Sequence, residues 1–530
     1  MYGNPITVDT ILLNATIYSV DDDFSTSEAI AIDKGVIVQL GLNSEITSQF
    51  IANEVIDLNG NFVYPGLIDA HCHLLHYARQ LGELDLYGSK SIEEVVERTK
   101  EYAAAHPNLQ VIIGRGWNQN LWYPSEMPDN TLLDEAFPNL PVLITRIDLH
   151  AAVANTAALL RANIANNPAP IEGGIVVTKN GQPTGLLIDK AIQQVEEALP
   201  NISEQEYIRL LLKAQQQCFA VGLTSLGDAL VLPSDWTMLK KMADNHILKL
   251  RVYAMMLATK DTIKEYGEQG HYLHPFLTLR TFKFFSDGAL GSRGAWLREP
   301  YNDDCDNYGL QLLNEDEFVH QLEQIKEYQF QVATHAIGDA ANHFVLKCYA
   351  KVLAKNNPLR WRLEHAQIMP PDDLPLLSDY NIIPSIQATH ATSDMYWVKD
   401  RIGNRINYAY NFRQLLMTNG LVAAGSDFPV EHINPLLGFY AAVTMKDIHG
   451  FPPGGFKPDE TLSRIEALKA MTIWAAYSQF SENQFGSLVP NKYADLCVID
   501  TDLLTAPPEQ IIVAKVLLTM VNGQIVHRTI

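Results

Sequence analysis

Eight short apolar runs in the middle of the chain constrain its fold more than any other feature of the sequence. Each run has the length of a buried strand, and amphipathic segments of helical period, such as residues 315–328, lie between several of them. The runs are 67–73, 223–228, 249–256, 281–287, 331–337, 361–367, 382–388 and 421–427. Eight parallel strands with helices between them close into a TIM barrel, whose active site lies at the C-terminal ends of the strands. We therefore predict an α/β fold built on a (β/α)8 TIM barrel that spans residues 65–85 and 202–484.

The two ends of the chain differ from the middle, because short strand-like runs alternate there with turn residues. Near the C-terminus, Asn522-Gly523 separates two apolar runs, which is a strong signal for a tight β-hairpin. Strand-rich termini on either side of an α/β region favour pairing with each other. We predict a small composite β-sandwich formed by residues 1–64 and 485–530.

The gap between the first and second barrel strands is far too long for one helix. Long structureless loops are rare inside compact domains, so residues 86–201 are predicted to form an inserted α+β subdomain. The insertion leaves the barrel at the C-terminal end of a strand, where loops carry binding and catalytic residues. We expect it to roof the active site and to take part in substrate selection.

The acidic composition excludes several classes of function. The 530 residues include 39 Lys and Arg against 61 Asp and Glu, and the formal net charge of −22 repels phosphate backbones and anionic lipids. We therefore expect a small-molecule substrate, with no nucleic-acid and no membrane partner. The five cysteines show no Cys-x-x-Cys pair, and the N-terminus shows no secretory pattern. These features favour a cytoplasmic protein whose cysteines are reduced thiols.

Two histidines end the first apolar run. Side chains on a strand alternate between its faces, so His71 and His73 point the same way while Cys72 points away. Two imidazoles on one rigid edge provide half of a site for zinc or a similar ion. Taken alone, the pair could equally be two ordinary polar residues at the end of a strand.

Four later runs also carry, at or near their C-terminal ends, groups that can bind metal, namely Lys283, His335, His365 and Asp427. Each has an ordinary explanation on its own: an ion pair for the lysine, interior packing for the histidines and a helix cap for the aspartate. The C-terminal ends of barrel strands converge on one axis, however, so all six residues should meet in space. Together they predict a site for one or two divalent ions, with zinc favoured, and an open position for water.

Several longer segments surround these residues. They are Pro-Gly-Leu-Ile-Asp-Ala-His-Cys-His at 65–73, Lys283 with Asp-Gly-Ala-Leu-Gly-Ser-Arg at 287–293, His-Ala-Ile-Gly-Asp at 335–339, Glu-His at 364–365 and Gly-Ser-Asp at 425–427. In these segments the chain resembles the amidohydrolase superfamily, most strongly its YtcJ-like branch, which includes N-substituted formamide deformylase. The resemblance extends nearly end to end. It implies metal-dependent hydrolysis of a carbon–nitrogen bond, such as an N-formyl or N-acyl amide.

The resemblance also implies a binuclear metal centre. The deeper ion would be held by His71, His73 and Asp427, and the outer ion by His335 and His365. Lys283 would be carboxylated by carbon dioxide, because a buried lysine loses its proton readily and its carbamate is an anionic ligand that can bridge two ions. The metals would activate a water molecule, and Asp427 would pass its proton to the leaving nitrogen.

Five further residues are candidates for contact with the substrate: Arg115, Trp117, His150, Arg293 and Gln387. The first three lie in the insertion, where packing of the subdomain is an equal explanation. Arg293 follows the fourth strand and could instead form an ion pair with Asp287 or Glu299. Gln387 ends the seventh strand, where it could donate a hydrogen bond to the substrate.

Two other functions stay open on the sequence alone. A mononuclear deaminase of the same superfamily acts on a ring amidine and has no need of the bridging ligand that Lys283 would supply. A non-catalytic scaffold would keep the barrel for assembly, but scaffolding gives no reason for buried histidines and a lysine to converge. The oligomeric state is also open, with a homodimer as one candidate.

Overall fold

The structure is a computed structural model. It describes residues 5–107, 109–146, 151–166, 168–171, 174–200 and 202–530. The chain divides into two units, one formed by the residues up to Tyr77 and from Leu211 onward, and the other by Ala78–Leu210.

Eight of the strands in the first unit form a barrel. In chain order they are β1 (Leu67–Cys72), β2 (Leu223–Val231), β3 (Arg251–Leu257), β4 (Leu277–Phe285), β5 (Gln331–Ala336), β6 (Arg362–His365), β7 (Ile383–Ile386) and β8 (Ala423–Ala424). Each pairs in parallel with the next. The backbone N–H of Asp427 donates to the carbonyl oxygen of His71 over 2.8 Å, which returns the segment after β8 to β1. The barrel is therefore nearly closed, and the predicted α/β fold is confirmed.

The barrel strands are buried because side chains fill the interior and helices cover the outside. All six residues of β1 are buried, including the polar Asp69 and His71. A short strand, Tyr272–His274, adds an antiparallel hairpin to β4. The helices from β2 onward are Pro233–Asp244, Lys260–Gln269, Glu315–Glu327, Asp339–Val352, Leu374–Asp379, Ala388–Asp394, Val398–Ile402, Phe412–Asn419, Pro435–Thr444, Arg464–Ala470, Ile473–Ser478 and Pro508–Ile511.

The helix Glu315–Glu327 illustrates how local sequence sets these elements. It begins after Asn314, whose side chain accepts a hydrogen bond from the backbone N–H of Glu317 and caps the first turn. Its buried residues include Phe318, Leu322 and Ile325, which recur at the helical period on one face. This amphipathic pattern is the one that the sequence predicts for residues 315–328.

The two ends of the chain form two sheets that share a buried apolar core. One sheet contains the strands Ile6–Leu13, Ala29–Asp33, Val36–Gly41 and Phe50–Asp57, and the other contains Thr16–Tyr18, Thr26–Ser27, Phe62–Pro65, Leu496–Ile499, Val516–Val521 and Gln524–Arg528. Leu12 and Ile32 of the first sheet lie in one cluster with Val63 and Leu496 of the second. Asn522 and Gly523 form the predicted hairpin turn, with φ of 51° and 71°.

The second unit has its own six-stranded sheet. Its strands are Leu84–Asp85, Ile112–Trp117, Val142–Arg146, Ala151–Ala154, Gly174–Lys179 and Gln182–Asp189, and its longer helices are Ile92–Ala105 and Lys190–Ala198. Two of these strands match the apolar runs that the sequence shows at 111–117 and 141–146. The domain boundaries at 86 and 201, and the role of a roof, stay predictions.

Two further features bear on the sequence predictions. Within the described residues, no helix combines the length and the apolar character that a membrane crossing requires. All five cysteines are free, and four of them are buried, with Cys305 exposed.

Candidate metal centre

The C-terminal ends of the barrel strands bring the predicted ligands together. His71, His365 and Asp427 are buried, and each offers one ligand atom within 4.8 Å of the other two. The Nε2 atom of His73 lies 3.1 Å from Oδ1 of Asp427. The ring centroid of His335 lies 4.5 Å from that of His365. Side chains from β1, β5, β6 and the segment after β8 therefore form one cluster.

Lys283 of β4 belongs to the same cluster. Its side chain is 0% exposed, and it lies within electrostatic range of His71 and Asp427. Burial lowers the pKa of Lys283 to about 8, although the negative charges of Glu364 and Asp427 act in the opposite direction. The amine is therefore closer to its neutral form than an exposed lysine is.

Three polar atoms of the cluster, Lys283 Nζ, His335 Nε2 and Asp427 Oδ1, are buried and form no hydrogen bond with the described residues, although His335 Nε2 lies 3.3 Å from Oδ1 of Asp287. Burial of unpaired polar groups costs free energy and is rare in native proteins. His73 Nε2 and Asp427 Oδ1 approach to 3.1 Å without the geometry of a hydrogen bond. A divalent ion among these nitrogen and oxygen atoms would satisfy them, and the donor set suits zinc. The residues therefore fit a metal.

The electrostatic environment favours the ligating forms of these side chains. Burial and the charge of Lys283 lower the pKa of His71 to about 4. Burial and the neighbouring His335 hold the pKa of His365 well below its ordinary value. Burial alone would raise the pKa of Asp427, but the nearby histidines lower it by more. The pKa of Asp427 therefore lies below its ordinary value. Neutral imidazoles and an ionised carboxylate are the forms that bind metal.

A buried chain of polar groups orients His71. Its Nδ1 lies 2.5 Å from Oε2 of Glu364, and Nε of Arg362 donates to Oε1 of Glu364 over 2.6 Å. Arg362 also donates to the carbonyl oxygen of Ala70 over 2.8 Å and to Oγ of Ser385 over 3.1 Å. A carboxylate on Nδ1 fixes the imidazole tautomer and leaves Nε2 free as a ligand atom.

Asp69 joins the first and last ligand segments. Its Oδ1 accepts the backbone N–H of His71 over 3.1 Å, and its Oδ2 accepts Oγ–H of Ser426 over 2.6 Å. The neighbouring Gly425 permits this close approach, because a Cβ atom there would lie 2.5 Å from the backbone nitrogen of His71. His71 and Asp427 are thus held in register by backbone contacts as well as by side chains.

Two ligand residues have unusual backbone conformations. His365 has a φ of 74° and Asp427 a φ of 63°, both in the left-handed region that non-glycine residues rarely adopt. Such a conformation costs about 1–3 kcal/mol and persists where the surrounding structure enforces it, as at functional sites. His365 ends β6 and Asp427 lies three residues after β8, so each turn directs its side chain toward the cluster.

Comparison with known proteins assigns the family. The model of the amidohydrolase family matches residues 54–527, which is most of the chain. The chain belongs to the amidohydrolase family. The protein is therefore a hydrolase that acts on carbon–nitrogen bonds, within a superfamily of metal-dependent enzymes.

Relatives of this amidohydrolase match it over nearly its full length. YtcJ of Bacillus subtilis, which is named as an amidohydrolase, is 31% identical over 96% of this chain and 98% of its own. N-substituted formamide deformylase of Arthrobacter pascens is 26% identical, with 97% of each chain covered. The structure of an uncharacterized metal-dependent hydrolase from Pyrococcus horikoshii is 25% identical, with a TM-score of 0.81 over 94% of this chain and 99% of that chain. The resemblance to the amidohydrolase superfamily and its YtcJ-like branch is confirmed.

The five residues of this amidohydrolase that the sequence predicts to contact substrate lie in different places. Gln387 lies at the cluster, where its Oε1 is 2.7 Å from Nδ1 of His365 while its Nε2 is buried without a partner. Arg293 forms an ion pair with Asp303 over 3.0 Å, so its pairing partner is neither of the two acids that the sequence suggests. This ion pair connects two residues of the segment after β4, and contact of Arg293 with substrate stays a prediction.

The other three predicted contacts lie in the insertion. Trp117 is 0% exposed and donates its indole N–H to the carbonyl oxygen of Ile144 over 2.9 Å, as a core residue of the second unit does. Arg115 donates to the carboxylate of Glu83 over 2.6 Å. His150 lies outside the described residues. The contacts of these three residues with substrate stay predictions.

Sequence reasoning missed several residues of the site. His390 lies at the cluster, with its ring stacked 5.9 Å from that of His365 and its Nε2 3.6 Å from Oδ2 of Asp427. The sequence feature that could have identified His390 is its position three residues after Gln387, on the helix that follows β7. Glu364, Arg362 and Asp69 stood next to recognised ligands, but a role in orienting them requires contacts that the sequence does not specify.

Proposed function

We propose that this amidohydrolase uses water to cleave an amide-type carbon–nitrogen bond of a small molecule carrying an N-formyl or N-acyl group. One observation carries the proposal: Lys283 is 0% exposed and has no hydrogen-bond partner for its Nζ atom, yet it lies among the histidines and Asp427. Such a lysine suits a bridging ligand for two ions. The relative named N-substituted formamide deformylase supports the choice of bond.

The predicted ligands divide between two ions. His71, His73 and Asp427 would hold one ion, and His335 and His365 the other. Bound metal would polarise the substrate carbonyl and lower the pKa of a water molecule. Lys283 would bridge the ions after its neutral amine adds to carbon dioxide, which forms an N–C bond, releases one proton and leaves a carbamate anion.

Asp427 is the group best placed to move a proton. Its Oδ1 lies 3.1 Å from His73 and forms no hydrogen bond with the described residues, while its Oδ2 lies 3.6 Å from His390. We assign the carboxylate the acceptance of a proton from the attacking water and the return of that proton to the leaving nitrogen. The low pKa of Asp427 keeps the carboxylate in its ionised, metal-binding form.

A short segment after β7 is suited to hold the substrate. Gln387 Nε2, Thr389 Oγ1 and His390 Nε2 are buried and lack hydrogen-bond partners in the described part of the chain. Metal ligation does not involve them in this assignment. We propose that Gln387 and His390 hydrogen-bond the polar groups of the substrate, because buried donors are otherwise left unsatisfied.

A mononuclear deaminase is the second candidate. The observation in its favour is that His71, His365 and Asp427 alone place three ligand atoms within 4.8 Å, which is enough for one ion with an open position. This function would release ammonia from a ring amidine and would not depend on Lys283.

The direct test is a panel of N-formyl, N-acyl, cyclic-amide and amino-purine substrates, assayed with metal-loaded protein. We expect release of formate or another carboxylate, and about one to two equivalents of a zinc-like ion per chain. The double variant His71→Ala with His73→Ala should lose both metal and turnover. Full activity of that variant without metal would overturn the proposal, whereas ammonia release from amino-purines would favour the deaminase.

The compartment is part of the same proposal. The five unpaired cysteines, four of them buried, are typical of proteins kept in a reducing environment. We therefore propose a cytoplasmic enzyme acting on a soluble small molecule.

A further inference from the structure

A cavity of about 230 Å³ lies beside the N-terminal half of β4, apart from the metal centre at the other end of that strand. Its wall includes Thr278 and Arg280 from β4 and Gln479, Phe480 and Ser481 from the segment after the helix Ile473–Ser478. The volume is below the usual range for drug-sized ligands, about 300–1,000 Å³, so it suits a small molecule.

Arg280 in the cavity wall forms no ion pair with a carboxylate of the described residues, although the charge of Glu482 acts on it. It stacks its guanidinium 3.6 Å from the ring centroid of Phe480, and its Nε atom is buried without a hydrogen-bond partner among those residues. The neighbouring arginines are paired: Arg251 with Asp495 and Arg360 with Glu482. Arg280 therefore differs from its neighbours, and its side chain is partly exposed.

The charge of the cavity wall reinforces this difference. None of the described residues that line the cavity is Asp or Glu, although the chain as a whole carries a net charge of −22. Among the described lining residues, Arg280 is therefore a positive charge with no carboxylate beside it in the cavity wall. Such a pocket attracts anions.

A second unsatisfied donor lines the same cavity. Gln479 is 2% exposed, and its Oε1 accepts a hydrogen bond from Oγ of Ser225 over 3.3 Å. In the described part of the chain its Nε2 has no hydrogen-bond partner. Arg280 and Gln479 thus both line one small cavity, and a guanidinium beside an amide N–H is the complement of an oxyanion.

We propose that this cavity is a binding site for a small oxyanion, either a carboxylate or a phosphate on a short carbon chain. Arg280 supplies the charge and an N–H donor, Gln479 supplies an amide donor, and Phe480 holds the guanidinium plane in place. The site is independent of the metal centre and does not depend on the reaction catalysed there.

Calorimetric titration of the metal-loaded protein tests the proposal. Inorganic phosphate and succinate are titrated separately at constant ionic strength, and the stronger of the two identifies the kind of oxyanion. We expect saturable binding with a Kd in the millimolar range or tighter. Arg280→Gln should weaken it by about 10- to 100-fold, because a charge-assisted hydrogen bond is lost.

The matched control is Arg528→Gln, which removes one charge at an exposed ion pair with Glu54 and should leave the Kd unchanged. The absence of saturable binding for both anions would overturn the proposal. Binding that Arg280→Gln does not weaken would also overturn it, because it would place the anion elsewhere, for instance at the metal centre. If circular dichroism shows that Arg280→Gln is unfolded, a crystal of the unaltered protein soaked in selenate decides: an anion bonded to Arg280 Nε supports the site, and anions only elsewhere refute it.

Discussion

At the scale of single residues, Lys283 is the side chain that ordinary packing explains least. It is fully buried, its Nζ atom has no hydrogen-bond partner in the described part of the chain and lies over the ring face of Phe285 at 5.0 Å, and it lies among groups suited to bind metal. A lysine retained for packing would direct its amine to a carbonyl or a carboxylate, since an unpaired ammonium is costly to bury. The absence of such a partner in the described residues is what distinguishes the binuclear proposal from the mononuclear one.

The first prediction concerns Lys283→Ala. We expect the variant to lose one of two bound ions and most of its turnover, and acetate or propionate should restore part of both by filling the vacated space. Lys283→Arg should resist rescue, because the guanidinium keeps its charge and cannot be carboxylated. Metal content by atomic emission and the initial rate are measured together. Unchanged activity in Lys283→Ala would refute the bridging role and favour the deaminase.

The second prediction concerns Asp427→Asn. The amide cannot take a proton from water, so turnover should fall on the order of 10²-fold or more, the usual range for a general acid-base group. Metal should be retained at least in part, because the histidine ligands remain. Metal analysis accompanies the kinetics, and a loss of only a few-fold would reassign Asp427 to a structural role.

The third prediction concerns Glu364, which orients His71 without touching substrate. Glu364→Gln should lower metal affinity by about 10- to 100-fold, because the imidazole loses the carboxylate on its Nδ1. Competition with a chelator measures this affinity. The control is Glu482→Gln, which breaks the ion pair with Arg360 outside the metal centre and should leave metal affinity unchanged. Equal effects of the two variants would show that Glu364 contributes only to the general stability of the protein.

At the scale of elements, a buried ion pair joins the barrel to the strands from the C-terminus. Arg251 at the start of β3 donates to both carboxylate oxygens of Asp495, over 2.5 and 2.9 Å, and both residues are almost fully buried. Asp495 also accepts the backbone N–H of Asn522 over 2.7 Å, next to the terminal hairpin. One carboxylate therefore connects β3, the strand Leu496–Ile499 and the turn at Asn522-Gly523.

The fourth prediction follows from that pair. Asp495→Leu should lower the free energy of unfolding of this unit by about 3–5 kcal/mol, because it leaves the guanidinium of Arg251 buried and unpaired. Adding Arg251→Met should recover a large part of the loss, since both charges are then absent. Urea unfolding followed by circular dichroism measures both variants. A loss below about 1 kcal/mol for the single variant would show that water reaches the arginine.

At the scale of the whole molecule, many tyrosines are buried, and their ionisation limits the stability of the fold at alkaline pH. Burial raises the pKa of Tyr64, Tyr349 and Tyr410, and in Tyr64 and Tyr410 a neighbouring aspartate raises it further. A group whose pKa is higher in the folded state stabilises the fold below the pKa of the unfolded state, about 10 for tyrosine. That stabilisation is lost as the pH rises above this value.

The fifth prediction is therefore a loss of stability that begins near pH 10. Buried tyrosines should ionise only as the protein unfolds, so tyrosinate absorbance and the loss of ellipticity should rise together in one transition. The exposed Tyr123, which is 99% accessible, is replaced by Phe as a control and should leave that transition in place. Ionisation of all tyrosines well before unfolding would contradict the prediction.

The sequence by itself predicted the barrel, the paired termini and the six side chains of the candidate metal centre. These features depend on short-range patterns: apolar runs of strand length, the Asn522-Gly523 turn, and histidine, lysine or aspartate residues at the ends of successive runs. In a barrel, the C-terminal end of every strand reaches the same face, so a residue's place along its own strand suffices to bring it to the cluster. The first and last residues of each strand were predicted less exactly. For example, β8 is much shorter than the run at 421–427, because the turn that positions Asp427 interrupts the strand.

Tertiary structure alone decided which groups support that cluster and which remain unpaired. Glu364 meets a histidine 293 positions away, Arg251 meets an aspartate 244 positions away, and Arg293 pairs with Asp303 rather than with either acid expected from the sequence. His390 enters the site from the helix Ala388–Asp394 that follows β7, and Arg280 forms no ion pair with a carboxylate of the described residues. The physical reason is that a side-chain contact needs its two atoms within a few ångströms and at a suitable angle, and such positions between distant segments are set by the packing of the complete fold rather than by any local pattern.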